Sequence, residues 1–112
     1  MNVSYEGIGY MAVTMPAGTA KVGQLCKLST DGRADLCSAG EGFCGLVVSE
    51  GNQVVGVQMA GFAEANYTGT SPSRGFNKLS SDGNGGLKLD SNGTSYLVMD
   101  VNTVTRRIIV KL

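Results

Sequence analysis

The stretch Ser81–Gly93, SDGNGGLKLDSNG, holds two acids, two asparagines and four glycines. Residues of these types hold calcium through oxygen ligands, cradle a phosphate, or turn the chain. An EF-hand loop begun at Asp82 puts ligands at Asp82, Asn84 and Gly86. Its twelfth position then falls on Gly93, where a bidentate Glu belongs. Begun at Asp90, the loop has Ser95 in place of the required Gly and ends on Val101. The phosphate-binding G-x-x-x-x-G-K-[ST] pattern is absent. The spacing leaves open only an irregular calcium site from Asp82 and Asp90. Turns are the expected use: Asp82-Gly83 and Asn92-Gly93 supply the positive-φ positions that hairpins need. No metal site is expected.

The other chemical candidates weaken in the same way. Gly7–Ala12 matches G-x-G-x-x-A, the dinucleotide fingerprint. That motif needs a buried strand before it and a helix after it. Here six residues precede it, and the chain continues with Val13, Thr14 and Pro16. Cys26, Cys37 and Cys44 are an odd set without C-x-x-C spacing, and the chain contains no His to complete a zinc site. They are expected to be reduced. Lack of His also removes the usual base for a Ser, Thr or Cys nucleophile. A Ser–Lys or paired-carboxylate site assembled from distant positions is the arrangement left open. The expectation is a non-enzyme with no catalytic residue and no cofactor.

Composition narrows the partners. Lys plus Arg and Asp plus Glu balance at nine each, giving no net charge. Arg106-Arg107 is the only dense basic spot, and strand neighbours point to opposite faces. A nucleic-acid partner is therefore not expected. The N-terminus lacks a basic then apolar leader, and no run is long enough to span a bilayer. A chain folded in a cytosol without a membrane partner is expected.

The elements that would position any site are short alternating runs between turn residues. In "QLCKL", Cys26 and Leu28 share one face and Lys27 the other, and Asp31-Gly32 signals a two-residue hairpin to "ADLC". "FCGLVVS" is apolar on both faces, as in a central strand covered twice. Val55, Val57 and Met59 alternate with Gln58, and Gly56 marks a bulge or close approach. Leu97, Met99 and Val101 alternate with Tyr96, Val98 and Asp100. Ile108, Val110 and Leu112 are placed inward, with Arg107 and Lys111 outward. No window has helical apolar spacing. The prediction is an all-β fold: a small antiparallel Gly-rich β-barrel or sandwich over residues 12–112, preceded by an extended arm, residues 1–11.

The order of these segments resembles the small capsid cement, or head decoration, proteins of tailed bacteriophages and prophages. The resemblance runs from Tyr10 to Leu112. It is carried by "VGQLCKL", "GLVVS", "VQMAGF", the loop "NYTGTSPSRGF" and the final "YLVMDV" to "IIVKL" hairpin. It implies a β-rich virion protein on the capsid exterior, bound to the outer face of the assembled major capsid protein lattice. Such proteins are commonly trimers or other homo-oligomers and strengthen the shell against internal DNA pressure. They fold in the bacterial cytoplasm before assembly.

The resemblance transfers no individual residue, so candidate contacts come from the residues themselves. An arm with Val3, Tyr5, Ile8, Tyr10 and Met11 can add a strand to an exposed sheet edge and fill pockets with its side chains. Asn66–Gly75 is the longest stretch without periodicity, and Tyr67, Ser71, Pro72 and Arg74 are its candidate exposed contacts. The alternatives are a head–tail joining or tail-associated β module, or a small carbohydrate-binding domain. The last needs an aromatic platform. The chain has no Trp, and only Tyr67 and Phe76 lie near the long loop.

Overall fold

A computed structural model of the chain describes residues 10–112. Ten strands form two five-stranded antiparallel sheets, and the described residues contain no helix. The first sheet uses β1 (Met11–Pro16), β2 (Leu25–Leu28), β3 (Ala34–Leu36), β4 (Gly45–Glu50) and β5 (Val54–Ala60). The second uses β6 (Phe62–Asn66), β7 (Gly75–Ser81), β8 (Leu87–Leu89), β9 (Thr94–Asn102) and β10 (Arg107–Lys111). Strand orders are β1-β5-β4-β2-β3 and β6-β10-β9-β7-β8. The all-β expectation holds, and neither sheet closes into a barrel.

The two orders are the same order. Each half of the chain begins with an edge strand, which pairs with that half's last strand. The likeness extends to detail. Val47 pairs with Val57 and Ser49 with Gly56, leaving Val48 as the extra residue of a bulge. In the second half Val98 pairs with Val110 and Asp100 with Ile109, leaving Met99 as the extra residue. Gln53 and Arg106, each just before the last strand of its half, are the two non-glycine residues with positive φ among the described residues. Their carbonyls accept from the amides of Ala17 and Tyr67, at 3.1 and 3.0 Å. Ala17 bridges Ala34, and Tyr67 bridges Leu87, so each sheet curls until its edges touch at one point. The sequence carries the same repeat in Lys27–Gly32, KLSTDG, and Lys78–Gly83, KLSSDG.

The curl gives each half a cup shape, and the apolar pattern fills both cups. Met15, Cys26, Ala34, Val47, Val55 and Val57 line the first. Ala63, Ala65, Tyr67, Leu79, Val98 and Ile108 are among those lining the second. Leu25 and Leu46 pair across β2 and β4 on the outer face of the first sheet, and they pack into the second cup. Each fully buried aliphatic side chain contributes on the order of 1.5–3 kcal/mol. The joint between halves is thus part of the core. Main-chain bonds seal it: Leu25 N donates to Gly85 O at 2.8 Å, and Gly40 N to Ser81 O at 2.8 Å.

This nesting corrects several readings of faces. β4 is central and covered on both sides, as its apolar run predicts: Leu46 enters one cluster and Val47 the other. β2 is covered twice as well, so Leu25 and Cys26 are both buried, while Leu28 at the strand end is exposed. The turn after β2 is the loop Ser29–Arg33, with Gly32 at φ 79°, rather than a two-residue hairpin. The bulge at Met99 resets the alternation of β9, so Val98 is buried and Val101 packs on the same cluster. Gly56 marks the bulge, lying opposite Ser49 beside the extra residue Val48, rather than a close backbone approach, since the nearest atom to a Cβ there is the rotatable Ser49 Oγ. β10 alternates as expected, with Ile108 and Val110 buried.

Candidate functional site

The two carboxylates of Ser81–Gly93 each give one oxygen to their own turn and the other to a neighbouring hydroxyl. Asp82 Oδ1 accepts from the amides of Asn84 and Gly86 at 2.7 and 3.0 Å, and Oδ2 accepts from Thr68 Oγ1 at 3.3 Å. Asp90 Oδ1 accepts from Asn92 N at 2.9 Å, and Oδ2 from Ser80 Oγ at 2.7 Å. The Ser80 hydroxyl and the Asn92 amide hold Asp90 below the usual carboxylate range. Gly83 has the expected positive φ, at 87°. Gly93 does not; it is needed because a Cβ there would strike the Leu79 carbonyl. Among the described residues no three Cys, Asp or Glu side chains converge as metal ligands.

The three cysteines are free thiols. Cys26 and Cys44 lie with their sulfurs 3.9 Å apart. The hydrogen bond between them splits their acidities. Cys44, stabilised as thiolate by the Cys26 thiol, is lowered to about 7, and Cys26 is raised. Burial pushes the Cys37 thiol up.

A shallow cleft of about 210 Å³ lies on the outer face of the second sheet. Glu64, Asp100, Asn102, Thr105 and Arg107 line it. Both acids face arginines: Arg107 Nε is 3.1 Å from Glu64 Oε1, and Arg74 Nη2 is 2.6 Å from Asp100 Oδ1. The Arg107–Glu64 contact is an ion pair without hydrogen-bond alignment, since Nε has no aligned acceptor. Arg74 holds Asp100 below the usual carboxylate range. General acid catalysis by a carboxyl needs the opposite shift.

The loop candidates separate. Tyr67 is not an exposed contact. Its ring is 2 % exposed within the second cup, where its hydroxyl meets Ser71 Oγ at 2.9 Å. Arg106 covers the ring, 4.6 Å from its centroid, and donates to the Gly69 carbonyl. Pro72 is buried too. Ser71 and Arg74 are at the surface, but Ser71 holds Tyr67 and Arg74 holds Asp100. The reason is the repeat: Tyr67 bridges β8, which draws the start of the loop into the core.

At the other end Tyr10 is exposed, and Met11 is 51 % exposed but belongs to β1, paired with Ala60. The domain's first strand therefore starts one residue before the expected boundary. Val3, Tyr5 and Ile8 lie outside the described residues. β1 is a sheet edge, hydrogen-bonded among the described residues to β5 alone.

Comparison with known proteins gave no match: no family model, no curated protein and no solved structure matches this chain.

One surface feature escaped the sequence reading. Phe76 is 77 % exposed and pairs across strands with the partly exposed Leu97, on the outer face of the second sheet. In the repeat this pair corresponds to Leu25 and Leu46. The signal was present in KLSTDG and KLSSDG, which align Leu25 with Phe76. Tyr67, the other aromatic near the loop, is buried and does not lie beside Phe76 on the surface, and Tyr96 stacks on Phe43 at 5.1 Å.

Proposed function

We propose that this chain is a virion structural protein that binds the outside of an assembled major capsid protein lattice and reinforces the phage head. The segment order that resembles the capsid cement proteins motivates the reading. The observation that carries it is β1, an edge strand that pairs among the described residues with β5 alone and that follows directly on the N-terminal segment. An edge strand offers a row of free amides and carbonyls, the groups through which an extended segment joins two sheets. Glu41, Glu64 and Asp100 pair with basic side chains, and Asp82 and Asp90 hold turns, which fits a docking surface. Many copies on one lattice make a modest contact at each position sufficient.

The test is deletion of residues 2–9, which spares every described strand. The shortened protein is expected to keep its unfolding midpoint and to lose co-sedimentation with expanded heads. Full binding by the shortened protein would refute the role of the arm.

A further inference from the structure

Leu25–Leu46 and Phe76–Leu97 are the same cross-strand pair in the two halves, on the same outer face of each cup. The first pair is at most 6 % exposed because the second cup receives it. The second pair has no cup to enter. Large exposed aromatics beside an aliphatic partner mark interaction surfaces, and aromatic anchors dominate such contacts.

The complementary surface is present on the same chain. Ala63 and Val13 are equivalent, each paired with the matching valine of its half's last strand, Val110 and Val57. Ala63, in the occupied second cup, is 1 % exposed. Val13, in the first cup, is 36 % exposed, with Met11 at 51 % on the same face of β1. Met59 packs at the same cluster and is only partly buried. The first cup therefore has an apolar rim, formed by the edge residues Met11 and Val13 and by Met59, which its own second half leaves uncovered above the fully buried Val47 and Val57. Its occupied counterpart holds an apolar pair from a neighbouring half.

We propose that copies of this chain associate head to tail, the Phe76–Leu97 face of one packing on the Met11–Val13–Met59 rim of the next. The contact continues between chains the joint already built within each chain. Lys78, exposed two residues on from Phe76 along the same face of β7, lies at its edge. The zero formal net charge of the chain leaves no long-range repulsion between copies. Arg74, beside Phe76, is neutralised by Asp100. Such a contact is heterologous: donor and acceptor surfaces differ, so the copies form a ring or an open row. The inference does not depend on capsid binding, because it concerns the isolated protein.

Light scattering of the full chain across micromolar to high-micromolar concentrations tests it. The wild type is expected to gain mass with concentration. Phe76→Glu and Met11→Glu are each expected to stay monomeric with an unchanged unfolding midpoint, since both side chains are exposed. Mixed together, the two variants should form a dimer and nothing larger, because one intact donor face meets one intact rim. Val104→Glu, on the turn between β9 and β10, should associate as the wild type does. A monomeric wild type at every concentration would overturn the proposal. So would undiminished association of either cup variant, or a mixture that stays monomeric.

Discussion

Leu25 and Phe76 hold the same place in two copies of one strand arrangement, and only Leu25 is covered. Leu25 is 0 % exposed and Phe76 77 %. The difference follows from nesting: the first cup seats its outer face in the second, and the second seats its own in nothing among the described residues.

Within the first sheet, β4 approaches β5 closely at Gly45. A Cβ on Gly45 would lie 2.6 Å from Val57 Cγ1 and nearer still to the Gln58 carbonyl oxygen. Gly45→Ala is expected to destabilise by about 1–3 kcal/mol, as overpacking does. Gly42, three residues earlier, has open space around it. Gly42→Ala should be near neutral. Urea unfolding of the two variants compares them directly, and equal midpoints would remove the close-packing explanation.

Tyr67 anchors the second cup. Tyr67→Phe keeps the ring beneath Arg106 and loses only the Ser71 contact, for about 1 kcal/mol. Tyr67→Ala empties a buried site and should cost about 3–5 kcal/mol. If the alanine variant were as stable as the phenylalanine one, the ring would not be a core element.

Cys44 should be the reactive thiol. Its position near 7 follows from the hydrogen bond to Cys26, so its alkylation rate should rise through pH 7 and level off by about pH 8. Cys26→Ala removes that bond and should slow alkylation at pH 7 by about tenfold or more. Mass spectrometry locates the label. Preferential labelling of Cys37 would contradict the assignment.

Three carboxyls are held low: Glu41 by Lys27, Asp90 by Ser80 and Asp100 by Arg74. A carboxyl with a lowered folded-state pKa adds stability above its unfolded value and loses it as pH falls through the folded one. The unfolding midpoint should therefore be level above about pH 5 and fall as pH drops below about 4. Arg74→Gln should soften that acid decline, since only the Val101 amide then holds Asp100 low in the folded state. An unaltered decline in the variant would remove Asp100 from the account.

The sequence showed the strands plainly because alternation is a local property. Val55 and Val57, and Ile108 and Val110, face inward as their spacing predicts. Leu25 beside Cys26 could not be read that way. Both are buried because the first sheet is covered on two sides, which is a property of the nested halves. Tyr67 failed for the same reason: its surroundings are polar in sequence, but its bridge to Leu87 takes it inside. The turn role of Asp82 and Asp90 was legible, because ligand spacing excluded an EF-hand before any coordinates were needed. Phe76 was legible in principle through the repeated KLS-x-DG, and only the packing of its counterpart shows what its exposure means.

The central claim is binding to a capsid exterior. Its most direct measurement is a titration of expanded heads with the purified full chain, counting bound copies per particle after sedimentation. The account predicts saturation at a fixed number of copies per major capsid protein subunit, with bound particles surviving heat that opens bare ones. Absence of saturable binding, or binding that leaves the heads no more resistant, would contradict it.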